Sequence, residues 1–152
     1  MSAPRWDRAG FSITCALEDA DIDAVHRWLS EESYWARGIP RHIVEKAVAH
    51  SIPFTLRADG AFAGFARVTT DRATVAYLGD VFILPPHRGK GLSKWLIACV
   101  LEHPDLQGLR RFILATSDAH GLYARYGFTP FTAPHLWMEI HDPQIYRRPA
   151  GP

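Results

Sequence analysis

The sequence predicts an α/β fold: a mixed, mostly antiparallel central sheet flanked by helices. Three observations predict it. Apolar residues alternate with polar ones in short runs near residues 11–17 and between residues 53 and 70, the period of half-buried strands. Other apolar residues recur every three to four positions, as Ile22, Val25 and Leu29 do, and again Leu92, Trp95, Leu96, Cys99 and Val100. A strand–helix–strand run over residues 74–116 needs a crossover, which makes its two strands a parallel pair in an otherwise antiparallel sheet.

The chain has 152 residues, enough for one domain with a sizeable core. It contains no internal repeat and no low-complexity linker. Residues 1–152 are therefore expected to form a single domain, with a core at about 11–140 between an N-terminal arm and a C-terminal tail. Hydrophobic residues make up 47% and charged residues 22%, as in ordinary globular proteins. A net charge of +1 gives no reason to expect nucleic acid or an acidic membrane as partner. No apolar run is long enough to span a bilayer, and the opening MSAPRWDRAGFSI lacks the apolar core of a secretion signal. The expectation is a cytoplasmic protein. Cys15 and Cys99 do not make a disulfide framework, and the eight histidines show no metal-ligand spacing, so no metal is expected.

Taken in order, residues 1–10 read as a loose arm. Phe11, Ile13, Cys15 and Leu17 form a half-buried strand. Asp19 and Asp21 sit where a helix should start, because carboxylates there accept from free amides and complement the positive helix end. SEESYWARGIP breaks that helix, and Pro40 opens a second one carrying Ile43, Val44, Ala47 and Val48. PFTLRADGAFAGFARVTT reads as a hairpin about Asp59-Gly60. TVAYLGDVFIL is apolar throughout and reads as a strand buried on both faces. The amphipathic helix that begins near Leu92 ends at His103, before Pro104. RRFILAT is a short strand. AHGLYARYG is a short helix stopped by Gly127. FTPFT and LWMEI are read as final strands, and HDPQIYRRPAGP carries no pattern.

The turn PPHRGKGLS carries the chemistry. Pro85 and Pro86 stop the strand that ends at Leu84. Gly89 and Gly91 let the backbone turn sharply and approach a ligand closely. The helix from Leu92 brings free N–H groups and a positive dipole end to the same place, and Arg88 and Lys90 add charge. The sum is an anion cradle suited to phosphate or pyrophosphate. The alternative is a helix start that holds nothing. It is not a Walker loop, since Gly91 follows Lys90 where Ser or Thr is needed. Nor is it a dinucleotide fingerprint, since Lys94 stands where the third glycine belongs.

The turn HRGKGLS, with VFIL before it and AHGLYARYGF after it, resembles the acetyltransferases of the GNAT superfamily over residues 11–140. The family's loop reads Gln/Arg-x-x-Gly-x-Gly/Ala. Here that window is Pro86-His87-Arg88-Gly89-Lys90-Gly91, with both glycines kept and Pro86 in the first position. Ser93 stands where a further glycine is common. Downstream, Tyr123 and Gly127-Phe128 match the family's tyrosine and the glycine-phenylalanine after it.

The resemblance implies acetyl-coenzyme A as co-substrate, with its pyrophosphate on the amides of Arg88, Gly89, Lys90, Gly91, Leu92 and Ser93. It implies that Val81, Phe82 and Ile83 offer backbone groups to the pantetheine arm, and that Thr116 stands where an asparagine often faces that arm. It implies Tyr123 as general acid for the departing thiolate. Among the residues themselves, Asp80 is a carboxylate in an otherwise apolar strand, which needs a reason. It reads as a general base or as the partner of an arginine. Tyr126 is read as core, and His120 as a cap or surface group. Trp28, Tyr34 and Trp35 cluster by the first helix and its link, where rings can receive a cationic acceptor or pack a corner.

The expected function is transfer of acetyl directly to the primary amine of a small molecule or peptide, since nothing marks either cysteine as an acyl carrier. The rival reading is a non-catalytic acyl-coenzyme A-binding sensor or regulatory module. A homodimer is compatible with either.

Overall fold

The computed structural model describes residues 3–148. Its six strands form one sheet in sequence order: β1 (Arg5–Arg8), β2 (Phe11–Thr14), β3 (Ile52–Ala58), β4 (Ala61–Thr70), β5 (Val75–Ile83) and β6 (Arg111–Leu114). All neighbours pair antiparallel except β5 and β6, which are parallel, as the crossover demands. Helices α1 (Asp19–Glu31) and α2 (Arg41–Ala49) fall between β2 and β3, α3 (Leu92–Glu102) fills the crossover, and α4 (His120–Ala124) follows β6. Among the described residues no helix is long and apolar enough to cross a membrane.

Each face of the sheet has its own core. Ile13, Phe54, Leu56, Val68 and Leu78 pack under α3 through Leu96, Cys99 and Val100, and Tyr123 of α4 joins them. On the other face Phe65 and Phe82 pack against Val25 and Leu29 of α1 and Val44 of α2. Burying side chains of this size contributes about 1.5–3 kcal/mol each, and it dominates what holds the helices to the sheet.

Three expectations need correcting. Residues 5–8 are not a loose arm but a strand, joined to β2 by Ala9-Gly10, where φ is +42° and +89°. Two successive positive φ values suit the right-handed twist of a tight hairpin. Asp59-Gly60, with φ +48° and +86°, builds the predicted hairpin by the same backbone. FTPFT and LWMEI are not strands. Pro130 lacks the N–H that a ladder needs, and residues 134–141 are exposed without a neighbouring strand. β5 is not buried on both faces, because Val75 and Tyr77 stand exposed at its start. Tyr126 packs against the core as expected, and its hydroxyl also donates to the Lys94 carbonyl at 2.8 Å, which ties α4 to the start of α3.

α1 is fixed to the sheet by one buried ion pair. The Asp21 carboxylate accepts from the Glu18 amide at 2.8 Å, closing the helix start, and receives both guanidinium nitrogens of Arg57 at 2.8 and 2.6 Å. Burial pushes the Asp21 carboxyl up, but the Arg57 hydrogen bonds, the Glu18 amide and the Arg57 charge outweigh it and hold it below the usual carboxylate range. Asp21→Ala leaves the Arg57 charge without its partner and is expected to lower the unfolding free energy by about 3 kcal/mol in urea denaturation. This contribution is fully present above the unfolded pKa of about 4 and is lost as pH falls through the depressed folded value. The gap between parent and variant should therefore close in acid.

Candidate active site

The site begins with one extra residue in β5. Gly79 pairs with Arg67 and Phe82 with Phe65, so Asp80 and Val81 together face Ala66 alone. This is a β-bulge, and Asp80 takes the left-handed conformation it needs, at φ +53°. An aspartate tolerates that conformation better than most residues with a Cβ. The bulge reverses which residues face which layer. Ala76 and Leu78 face α3 before it, whereas after it Ile83 does so and Phe82 turns to the α1–α2 side. Pairing with β6 stops at Leu78 and Leu114, so the two parallel strands part at the bulge. From Gly79 onward the β5 edge has no partner strand on that side, and its free backbone groups border the opening.

The glycine turn closes the far end of β5. Pro85–His87 makes one 3-10 turn, and Arg88 reaches back to donate from Nε to the Ile83 carbonyl at 2.9 Å. Gly89 and Gly91 have φ +79° and +73°, and a Cβ on either would meet nothing within 4 Å. Glycine is thus required by the backbone conformation, while the space above the turn stays open. Among the described residues the amides of residues 89–94 donate to no protein acceptor. They converge at the start of an eleven-residue helix, beside exposed Arg88 and Lys90. Lys90 lies with its ammonium 5.8 Å from the Phe11 ring centre. Six unused donors, a helix dipole and two cations form an arrangement chemically able to hold an anion. The residues that the sequence singled out here, Arg88, Gly89, Lys90, Gly91, Leu92 and Ser93, are contiguous in the structure as well.

On the other side of the opening lies a groove of about 680 Å³, bordered by β6 and by residues 128–132. Tyr123, Thr116 and His120 line it. Tyr123 is 8% exposed and meets Phe128 edge-on at 5.9 Å. Burial raises its phenol pKa, and the nearby Asp118 and Tyr34 raise it further. The Thr116 hydroxyl accepts from the Ala119 and Asp118 amides at 3.1 and 3.4 Å, so it holds the approach to α4.

Across the opening, the first helix and its link bring Trp28, Tyr34 and Trp35 together. Trp28 stacks on Phe82 with ring centres 4.1 Å apart and planes 7° from parallel. Trp35 tilts against Trp28 at 5.5 Å, and Tyr34 meets Trp35 edge-on at 4.9 Å. Phe82 thus spends its side chain on this stack, and only its backbone is free for a ligand. The Trp35 indole N–H donates to one Asp80 oxygen at 2.9 Å, and Arg67 Nε donates to the other at 2.8 Å. Arg67 also donates to the Ser51 and Thr69 hydroxyls. Behind Trp35 a cavity of about 180 Å³ runs between α1 and α2, with Arg67, Asp80 and Tyr146 on its wall. Arg67 and Tyr146 were not anticipated. A cation in the buried stretch of β4 is a readable signal for Arg67, whereas nothing in the tail marks Tyr146.

The geometry matches what sequence comparison finds. A family model described as the acetyltransferase (GNAT) family matches residues 22–128. A candidate acetyltransferase of Gibberella zeae is 29% identical over 142 residues, covering 79% of each chain. The crystal structure of a candidate GNAT acetyltransferase from Xanthomonas campestris pv. campestris is 51% identical, covers 93% of this chain and 100% of its own, and superposes with a TM-score of 0.88. A candidate acetyltransferase from Clostridium acetobutylicum, solved with acetyl-CoA, shares the fold at 15% identity and a TM-score of 0.60, over 86% of this chain and 94% of its own. A parted parallel strand pair, an unsatisfied glycine turn and a family model spanning most of the chain agree, and the chain belongs to the acetyltransferase (GNAT) family.

Proposed function

We propose that the protein transfers acetyl from acetyl-coenzyme A directly to the primary amine of a small molecule or peptide. The observation that carries this reading is the row of six unsatisfied amides at residues 89–94, opening beside the point where β5 and β6 part. The pyrophosphate would sit on those amides with Arg88 and Lys90 near it, and the pantetheine amides would use the free β5 edge at Val81. The residues fit such a group, because no Cβ stands over the turn and no internal partner competes for the donors.

Acetyl-coenzyme A supplies an activated thioester and a sulfur leaving group. The chain supplies position and a proton. Tyr123, with its phenol pKa raised, holds its proton at Oη through the neutral range and can give it to the departing sulfur. Burial pushes the Cys15 thiol up to about 11 and the Cys99 thiol to about 12, so neither is a thiolate at neutral pH. That favours direct transfer over an acyl-enzyme. Both Asp80 oxygens already accept hydrogen bonds, from Trp35 and Arg67. We therefore give Asp80 the task of holding Trp35 over the opening, in preference to that of base. The acceptor would enter between the aromatic group of Trp28, Tyr34 and Trp35 and the groove lined by Tyr123.

Calorimetric titration with acetyl-coenzyme A tests the reading. The parent should bind, and Gly89→Val, which strains φ and puts branched carbon over the amides, should weaken binding at least tenfold (about 1.4 kcal/mol). No binding by the folded parent refutes it. Tyr123→Phe should lower kcat about 100-fold with cofactor affinity unchanged. In the parent, kcat should fall only as pH rises through the raised phenol pKa, because the acid must be protonated. A variant with full turnover removes Tyr123 as acid, and a chain that binds but acetylates no amine leaves the sensor reading. Asp80→Asn keeps a residue tolerant of the left-handed backbone. It should raise the acceptor KM several-fold while leaving the shape of the kcat–pH profile intact. A fall in kcat of about 100-fold with the acceptor KM unchanged would instead make Asp80 the base.

A further inference from the structure

A second space adjoins the opening on the α1–α2 side of the sheet. It is the cavity of about 180 Å³ behind Trp35. Val25 and Leu29 line it from α1, and Val44 and Val48 line it from α2. Trp35 and Asp80 border both spaces, so the cavity meets the opening at the bulge. Its only charged lining residues are Arg67 and Asp80, and these two neutralise each other. The wall thus carries no charge without a counter-charge, and a further charge placed inside would lose its water and gain no partner. Voids in packed cores seldom exceed one water molecule. An apolar cavity of about 150 Å³ stays dry and takes up benzene. The space behind Trp35 is of that kind and size.

The tail supplies one more wall. Tyr146 lines the cavity and packs against the cluster of Val25, Leu29 and Val44. Its neighbours Ile145 and Arg147 are exposed, so the Tyr146 ring is what this part of the tail commits to the protein. The tail is held as a turn. The Ile145 amide donates to the Asp142 carbonyl at 3.3 Å, the Arg147 amide donates to the Gln144 carbonyl at 3.0 Å, and the Arg148 guanidinium donates twice to the Asp142 carboxylate. Gly38, in the link between α1 and α2, receives the turn. Its φ is +83°, and a Cβ there would stand 2.9 Å from the Tyr146 carbonyl oxygen. A side chain at position 38 would therefore strain the link and push the tail away. Two fits seat the tail: a glycine under its backbone and a ring on the cavity.

We propose that this cavity receives the non-reacting end of the acceptor, an uncharged apolar group of about six carbon atoms, and that Tyr146 sets its length. The amine stays in the opening beside Trp35, and the apolar body runs behind that ring until it meets Tyr146. Each methylene group buried on the way multiplies affinity about fourfold. A diamine, an amino dicarboxylic acid or an amino sugar phosphate would bring a second charge to a wall that has none to offer, and is selected against. Assigning the occupant as the acceptor rests on the transferase reading above. The affinity of the cavity for an uncharged apolar group does not.

Straight-chain 1-aminoalkanes, from ethyl to decyl, test the acceptor with acetyl-coenzyme A saturating. In the parent, kcat/KM should rise about threefold or more per methylene up to about six carbons and then stop rising. 1,6-Diaminohexane should fall at least about tenfold below 1-aminohexane. Tyr146→Ala should move the optimum to a chain about two or more carbons longer. A series without a length optimum overturns the proposal, as does a preference for the diamine. An optimum that Tyr146→Ala leaves in place overturns the part given to Tyr146. Should that variant fail to fold, the parent series decides. 1-Hexanol, which has no amine to acetylate, separates this inference from the transferase reading. Calorimetry without acetyl-coenzyme A should show the parent binding 1-hexanol, and Ala47→Phe, which puts a ring into the cavity, should weaken that binding at least about tenfold. No binding by the folded parent, or binding that Ala47→Phe leaves unchanged, overturns the cavity as an apolar site whatever the activity. A chain that binds 1-hexanol there but acetylates no amine keeps the apolar site and overturns the acceptor as its occupant.

Discussion

A single surplus residue in β5 governs the geometry of the site. At Asp80 the backbone turns left-handed, and two residues face the one residue Ala66. Without that insertion, the alternation set by Ala76 and Leu78 would carry Phe82 into the α3 layer. With it, Phe82 lies flat beneath Trp28 on the opposite face. The ladder to β6 ends at the same place. A left-handed non-glycine residue costs roughly 1 kcal/mol. The Asp80 carboxylate offsets that cost by taking hydrogen bonds from Arg67 and Trp35, so the strain is held by the side chain of the strained residue itself.

The opening then has two unlike sides, and the difference is electrostatic. At one end a helix start and two cations face solvent with unused amides, an arrangement that stores no strain and waits for negative charge. At the other end the phenol of Tyr123 sits among Phe128 and the α3 core, where low polarity disfavours its ionised form. The cationic turn and the apolar surroundings of the phenol are opposite environments. The crossover from β5 through α3 to β6 separates them along one path of chain, so that neither spoils the other. Asp21 and Arg57 matter to this arrangement at one remove: they seat α1 on β3, and α1 in turn carries Trp28.

Much of this was legible in the residues. Gly89 and Gly91 ahead of an amphipathic helix predicted the turn, because few physical reasons demand two such glycines around a lysine. Asp59-Gly60 predicted its hairpin, whereas Ala9-Gly10 hid an equivalent one behind a residue that seldom takes positive φ. The bulge was invisible for a related reason. It interrupts the alternation of VAYLGDVFI, and an interrupted alternation reads as a strand buried on both faces. Val75 and Tyr77, exposed in the structure, show that it was not. LWMEI had the alternation of a strand, but among the described residues no neighbouring strand pairs with it. Arg67 was passed over because an arginine in a hairpin strand is ordinarily solvated, and only the fold brings it against Asp80.

The central claim is that the glycine turn and the bulged edge of β5 form one continuous site for acetyl-coenzyme A. Amide chemical shifts of the full chain, followed by NMR as the cofactor is added, test it most directly. The account predicts that the amides of residues 89–94 and of residues 79–82 move together with one dissociation constant, while those of β1 and β2 stay in place. Movement confined to some other surface, or none at all, would contradict it.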